Sequence, residues 1–196
     1  NFGARSYAGN FDYEELLKAV EYCHLRNVLV YVTVNTLVKE NEFKELDSYL
    51  NYLSNINVDA VIVQDLGVIR YIKLNYPTLE VHASTQLNVF NKEGALLLKK
   101  LGVTRVVLAR ETSINVLKEI NQLDIETEVF IHGALCFSSS GNCLMSSVIG
   151  GRSGNRGKCA QACRLPYELL ENNKKIDSGH LLSPRDLCGL EFIPDM

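Results

Sequence analysis

No apolar run in this sequence is long enough to cross a membrane. The cleanest stretch, VLVYVTV at 28–34, falls far short of the roughly 18 residues that a spanning helix needs. The opening residues NFGARSYAGNF lack the apolar core of a signal peptide. These two absences lead to the expectation of a cytoplasmic chain with no membrane partner. An excess of one charge is also missing: 20 Lys and Arg stand against 23 Asp and Glu, for a net charge of −3. That balance excludes a global bias toward nucleic acid, so such a partner must be argued from a local patch. Cysteine is scarce too. Residues 1–135 contain only Cys23, which the helical spacing of Leu16, Leu17 and Val20 marks as a buried small hydrophobe. A region so poor in cysteine and so rich in apolar patterning needs no disulfide framework. The first strand is followed by no Gly-x-Gly-x-x-Gly turn, and no Gly-x-Ser-x-Gly elbow or His-Glu-x-x-His helix occurs anywhere.

What is present is alternation. DYEELLKAVEYCHLR opens with Asp12 and has Glu15 three residues on, a capping-box pattern that predicts a helix start. Five β-rich segments follow at 28–34, 58–65, 79–85, 104–110 and 126–133, separated by helical patterns such as EFKELDSYLNYL, NKEGALLLKKLG and SINVLKEINQL. Short, nearly all-apolar strands that alternate with helices belong in a parallel sheet covered by helices. Without the dinucleotide-binding turn, the pattern predicts an α/β fold, a (β/α) TIM-type barrel. A full barrel needs eight strands. With five, the chain reads as a partial barrel over 1–135, lacking a first strand and the last two, and as a piece of a longer protein. Its open sheet edges would be an aggregation hazard. Residues 136–196 read as a cysteine-rich, basic loop region at the barrel mouth, with two short β segments in LPYELLEN and KKIDSGHLL.

Barrel chemistry gathers where strands end. Those positions supply Asn35, Gln64, Asp65, His82, Ser84, Thr85, Gln86, Arg110, Glu111 and His132. Several of these, with Asn88, are also natural helix caps. Arg110 needs an anionic partner, either Glu111 or a ligand. Two histidines on strand ends suit proton transfer. The candidate catalytic set is therefore His82, Arg110 and His132, and Asn35, Asp65, Ser84, Gln86 and Glu111 are substrate-binding candidates. The run GGRSGNRGKCAQACR adds Arg152, Arg156, Lys158 and Arg164 without an acid, a patch for an RNA phosphate backbone or counter-charge for a thiolate centre.

Five cysteines, Cys136, Cys143, Cys159, Cys163 and Cys188, fall between 136 and 188. Structural zinc favours paired short knuckles, and only CAQAC has that spacing. An iron–sulfur cluster tolerates dispersed thiolates, and the N–H groups of FSSSGNC could serve its sulfurs. A catalytic cysteine with His132 stays open as a third reading.

EVFIHGALCFSSSGNCLMSS, with VQDLG, HASTQLN, LARETS, GGRSGNRGKCAQACRLPYEL and LLSPRDLC, closely resembles the collagenase-like peptidase family, unclassified peptidase family thirty-two. The resemblance covers essentially the whole chain and implies a barrel fold. It implies two activities that pull apart. One is proteolysis, with no settled catalytic residues. The other is oxygen-independent hydroxylation of tRNA wobble uridine, ribosomal RNA or ubiquinone precursors, with prephenate as implied hydroxyl donor. It further implies a [4Fe–4S] cluster on Cys136, Cys143, Cys159 and Cys188, with Cys163 as the spare, while zinc stays the alternative from ligand chemistry. RNA, above all tRNA, is the implied macromolecular partner. A second family member is the implied protein partner, in a heterodimer in which this chain could be a non-catalytic subunit.

Overall fold

The computed structural model describes residues 2–4, 8–140 and 142–196, apart from the side chain of Asp195. Arg5, Ser6 and Tyr7 of the opening motif, and Gly141 of FSSSGNC, lie outside the described residues.

Helix α1, Tyr13–His24, starts as its sequence predicts. The Asp12 carboxylate accepts from the Glu15 amide at 2.8 Å, and the Glu15 carboxylate accepts from the Asp12 amide at 3.0 Å. Five parallel strands follow: β1 (Tyr31–Val34), β2 (Ala60–Val63), β3 (Glu80–Ala83), β4 (Arg105–Val107) and β5 (Glu126–Glu128). Helices α2 (Phe43–Asn55), α3 (Leu66–Asn75), α4 (Lys92–Lys100) and α5 (Ile114–Ile120) each succeed one of the first four strands. The strands are ordered β1-β2-β3-β4-β5, each parallel to the next. A doubly wound sheet reverses its strand order at a switch point, and this one does not.

The pleat sorts the side chains. Val34, Val61, Val63, Val81, Ala83 and Val106 pack with Leu46, Leu50, Leu53, Ile69, Ile72 and Ile120 in one apolar core. Each fully buried Leu or Ile contributes about 1.5–3 kcal/mol. The alternate positions form a row across the other face, where Thr33, Ile62, His82, Arg105 and Glu126 stand in register. Cys23 is half-buried rather than part of this core.

One expected strand is two. β5 stops at Glu128, and β6 (His132–Ala134) joins a separate antiparallel ribbon with β9 (Asp186–Cys188). The break follows from local geometry and a distant partner. Gly133 adopts φ +125°, a conformation open to glycine, and the Gly189 amide donates to the Ile131 carbonyl at 2.6 Å. His132 therefore sits on this ribbon and not at the end of a strand of the parallel sheet.

The two short β segments form a hairpin, β7 (Tyr167–Glu171) and β8 (Lys174–Gly179). Its two-residue turn has Asn172 at φ 50° and Asn173 at φ 63°, the left-handed pair that a tight hairpin demands. A short helix, α6 (Met145–Gly150), was not apparent from the sequence. Beyond residue 135, Ala162 is the one hydrophobic residue buried among those described. No helix among the described residues is long and apolar enough to cross a membrane.

Candidate functional site: a cysteine-lined cavity

A cavity of about 480 Å³ opens beyond the C-terminal ends of β3 and β4. Thr85 and Gln86 reach it from the turn after β3, and Arg110 from the segment after β4. Phe130 and His132 come from either side of the break between β5 and β6. Cys136, Ser140 and Cys143 follow β6, and Gly154, Asn155 and Cys159 arrive from the glycine-rich loop.

Arg110 finds its partner in Ser140. Its Nε donates to the buried Ser140 Oγ at 3.2 Å, while Thr85 Oγ1 donates to the Leu108 carbonyl at 3.0 Å and lies 3.5 Å from the same Ser140 oxygen. Glu111 is exposed and makes no ion pair with Arg110. The guanidinium is thus held by a neutral hydroxyl at the cavity wall rather than by a carboxylate. Ser140 was invisible as a site residue in the sequence, since nothing marks one serine of FSSSGNC as buried. Gln86 lines the cavity, and its Oε1 is buried without a hydrogen-bond partner among the described residues.

Three other substrate-binding candidates hold the frame. Asn35 Oδ1 accepts from the Ala4 amide at 2.8 Å, which brings Ala4 to the cavity wall. Asp65 caps α3 through the Gly67 and Val68 amides and also accepts from Val38. Ser84 accepts from the Gln86 amide at 3.3 Å. For Asp65 and Ser84 these are the capping roles their residue types favour, whereas Asn35 ties in a distant segment.

His82 lies outside the cavity. It is buried on the sheet face away from the main core, edge-on to Tyr31 at 4.6 Å and 3.6 Å from the Glu80 carboxylate. Arg105 stands beside it, paired with Glu126 at 2.7 Å and Glu128 at 3.6 Å. Burial, then the Arg105 charge, push the His82 pKa below its ordinary 6.5. It is a neutral imidazole in a polar network, separate from the other candidates.

All six cysteines are free thiols. Cys136, Cys143 and Cys159 line the cavity, whereas Cys163 does not, which separates the two thiols of CAQAC. Cys159 Sγ lies 3.4 Å from the Gln161 amide and 3.7 Å from Ser146 Oγ, two donors suited to a thiolate. Cys188 pairs across the ribbon with His132, and its neighbour Leu187 reaches the wall. In chemical type, thiols are the soft donors that a thiolate-bound centre uses. The sulfurs themselves do not converge: among the described residues no three His, Cys, Asp or Glu side chains are grouped to hold a metal ion.

The basic run divides. Arg152 and Lys158 are exposed. Arg156 instead turns inward, paired with Glu42 and donating to the Leu37 carbonyl at 3.0 Å. Asn155 reinforces this docking, since its carbonyl accepts from the Leu37 amide at 3.4 Å and from Gln64 Nε2 at 3.1 Å. Arg164 is likewise committed, to Ser183 Oγ, the Pro184 carbonyl and the Leu135 carbonyl. Neither arginine is available to a phosphate as the patch suggested. Charge alone does not reveal an internal acceptor.

The class is set by the whole chain: residues 1–196 match the model of peptidase family U32, and the protein belongs to that family. Similar proteins carry divided names. The chain is 40% identical to an uncharacterized protease of Methanocaldococcus jannaschii, over 98% of this chain and 49% of that protein. It is 40% identical to the 23S rRNA 5-hydroxycytidine C2501 synthase of Escherichia coli, over 94% of this chain and 28% of the enzyme. Similarity to the tRNA hydroxylation protein P1 of Bacillus subtilis is 38%, over 100% and 48%. The chain thus spans half or less of the length of these relatives. A solved structure of a U32 peptidase shares the fold, with a TM-score of 0.57 at 19% identity over 67% of this chain and 57% of that one.

Proposed function

We propose that this chain carries the reaction centre of an RNA hydroxylation protein, with an iron–sulfur cluster as its redox group. The observation that carries the reading is the single cavity that collects Cys136, Cys143 and Cys159 beside Arg110 and His132. Relatives named for hydroxylation of rRNA and tRNA, at 40% and 38% identity, support it. Cys136, Cys143, Cys159 and Cys188 would hold the cluster, which supplies one-electron chemistry that side chains lack. Arg110, oriented by Ser140, binds a small anionic hydroxyl donor of the prephenate type. His132, exposed at the rim, exchanges protons with solvent. Arg152 and Lys158 attract the RNA backbone, and sequence-specific contacts fall to the cavity wall. The parallel sheet is then one wall of a (β/α) barrel, with its chemistry at the C-terminal strand ends. A protein acting on tRNA or rRNA works in the cytoplasm.

Deleting the gene and measuring tRNA and rRNA nucleosides by mass spectrometry tests the function. Loss of a 5-hydroxylated pyrimidine is the expected result, and unchanged nucleosides would end the proposal. Iron and sulfide counts on anaerobically reconstituted protein, compared with Cys143→Ala, test the cofactor separately. The family's peptidase name keeps proteolysis as a second reading, favoured by Cys136 and His132 lining the same cavity. Gelatin cleavage that disappears in His132→Ala would favour it.

A further inference from the structure

We infer that Arg164 is the positioning residue that sets three cysteine-bearing segments around the cavity. Its Nη2 donates to the Leu135 carbonyl at 2.6 Å, one residue before Cys136. Its Nη1 donates to Ser183 Oγ at 2.6 Å and to the Pro184 carbonyl at 3.0 Å, on the segment that enters β9 and Cys188. Arg164 itself ends the turn Ala162–Arg164, which contains Cys163 and follows Cys159. Its own carbonyl is fixed by His180 Nδ1 at 2.9 Å, which ties in the end of the hairpin. One guanidinium therefore joins segments that are far apart in the chain.

Two further facts make this a matter of position and not of charge. Arg164 makes no ion pair among the described residues, and all three of its acceptors are neutral. Two are main-chain carbonyls, so what it locates is backbone. In addition, Ala162 is the one fully buried hydrophobic residue among those described on these segments, so no enclosed apolar core locates them. A planar fork with donors on two ends can hold two segments at a fixed separation, whereas a lysine ammonium is a single point.

The inference rests on the proposed thiolate centre, but its test needs no metal. The metal-free, reduced chain is treated with a short bis-maleimide, and the Cys136–Cys159 cross-linked peptide is quantified by mass spectrometry. The yield in Arg164→Ala is expected to fall about threefold or more, because charge-assisted hydrogen bonds to two segments are lost. Arg164→Lys and Ser183→Ala should fall less, and added ethylguanidinium should restore yield to Arg164→Ala while its melting curve stays that of the wild type. If Arg164→Ala does not fold, the two milder variants decide. Undiminished yield in the variants, or absence of this cross-link in the wild type, overturns the inference. A wild-type chain that cross-links but retains no iron overturns only the redox reading.

Discussion

The parallel sheet and the cysteine-bearing segments after it are held together by different forces. Residues 31–128 are organised by burial, with Leu46, Leu50, Leu53, Ile69 and Ile72 fully enclosed between helices and strands. The later segments are organised by directed polar contacts, chiefly Arg156 on Glu42 and Leu37, and Arg164 on Leu135, Ser183 and Pro184. An apolar core is tolerant of direction and intolerant of lost volume. A polar clamp is the reverse. The difference places the thiols of the cavity on segments held by polar contacts rather than by an apolar core.

Substitutions can break this contrast. The largest effect is expected in the core: Leu50→Ala should cost about 2–5 kcal/mol of global stability, read by urea unfolding. If the sheet and the later segments were a single cooperative layer, clamp substitutions would do the same. Arg156→Ala should instead cost only about 1 kcal/mol, since the Glu42 pair is partly exposed. Its signature should be faster amide exchange around Asn155 with the β1–β4 amides unchanged.

The same pair should respond to acid. The Arg156 guanidinium beside Glu42 lowers its carboxyl pKa below the ordinary 4.5. The docking it provides is therefore complete above that value and is lost as pH falls through the lowered pKa. Protection at Asn155 should decline there, and Glu42→Gln should remove the pH dependence. His82 gives a milder dependence on the sheet side. Its depressed pKa means that the unfolded chain takes up its proton first, so stability is full above pH 6.5 and declines as pH falls below it. Urea midpoints at pH 8 and pH 5.5 should converge in His82→Leu. The smallest effect concerns the hairpin: Asn173→Gly should leave stability within about 0.5 kcal/mol, while Asn173→Ala should cost about 1 kcal/mol at its positive φ.

The sequence was legible where structure is set by neighbours in the chain. The capping box of Asp12 and Glu15, the five β-rich stretches, the helices between them and the two later β segments follow from local periodicity. The split of 126–133 into β5 and β6 was hidden because β6 takes its partner, Asp186–Cys188, from more than fifty residues away. For the candidate site, the sequence supplied residue types but not their geometry. Arg110, Gln86, His132 and three of the cysteines meet at one cavity, but Arg156 and Arg164 looked like ligand contacts because backbone carbonyls leave no trace in composition. His82 was placed at a strand end by its position in LEVHAST. The alternation of the pleat instead turns it onto the sheet face, toward Tyr31 and Arg105.

The ribbon of β6 and β9 also sets an order of assembly. Closing it requires the chain to have been made as far as Cys188, whereas the five parallel strands are complete by Glu128. Synthesis runs from the N-terminus, so every strand of the sheet has been made while the segment carrying Cys188 is still to be translated. Any inorganic group that took Cys188 as a ligand would be completed only after that segment had been made and the ribbon had closed.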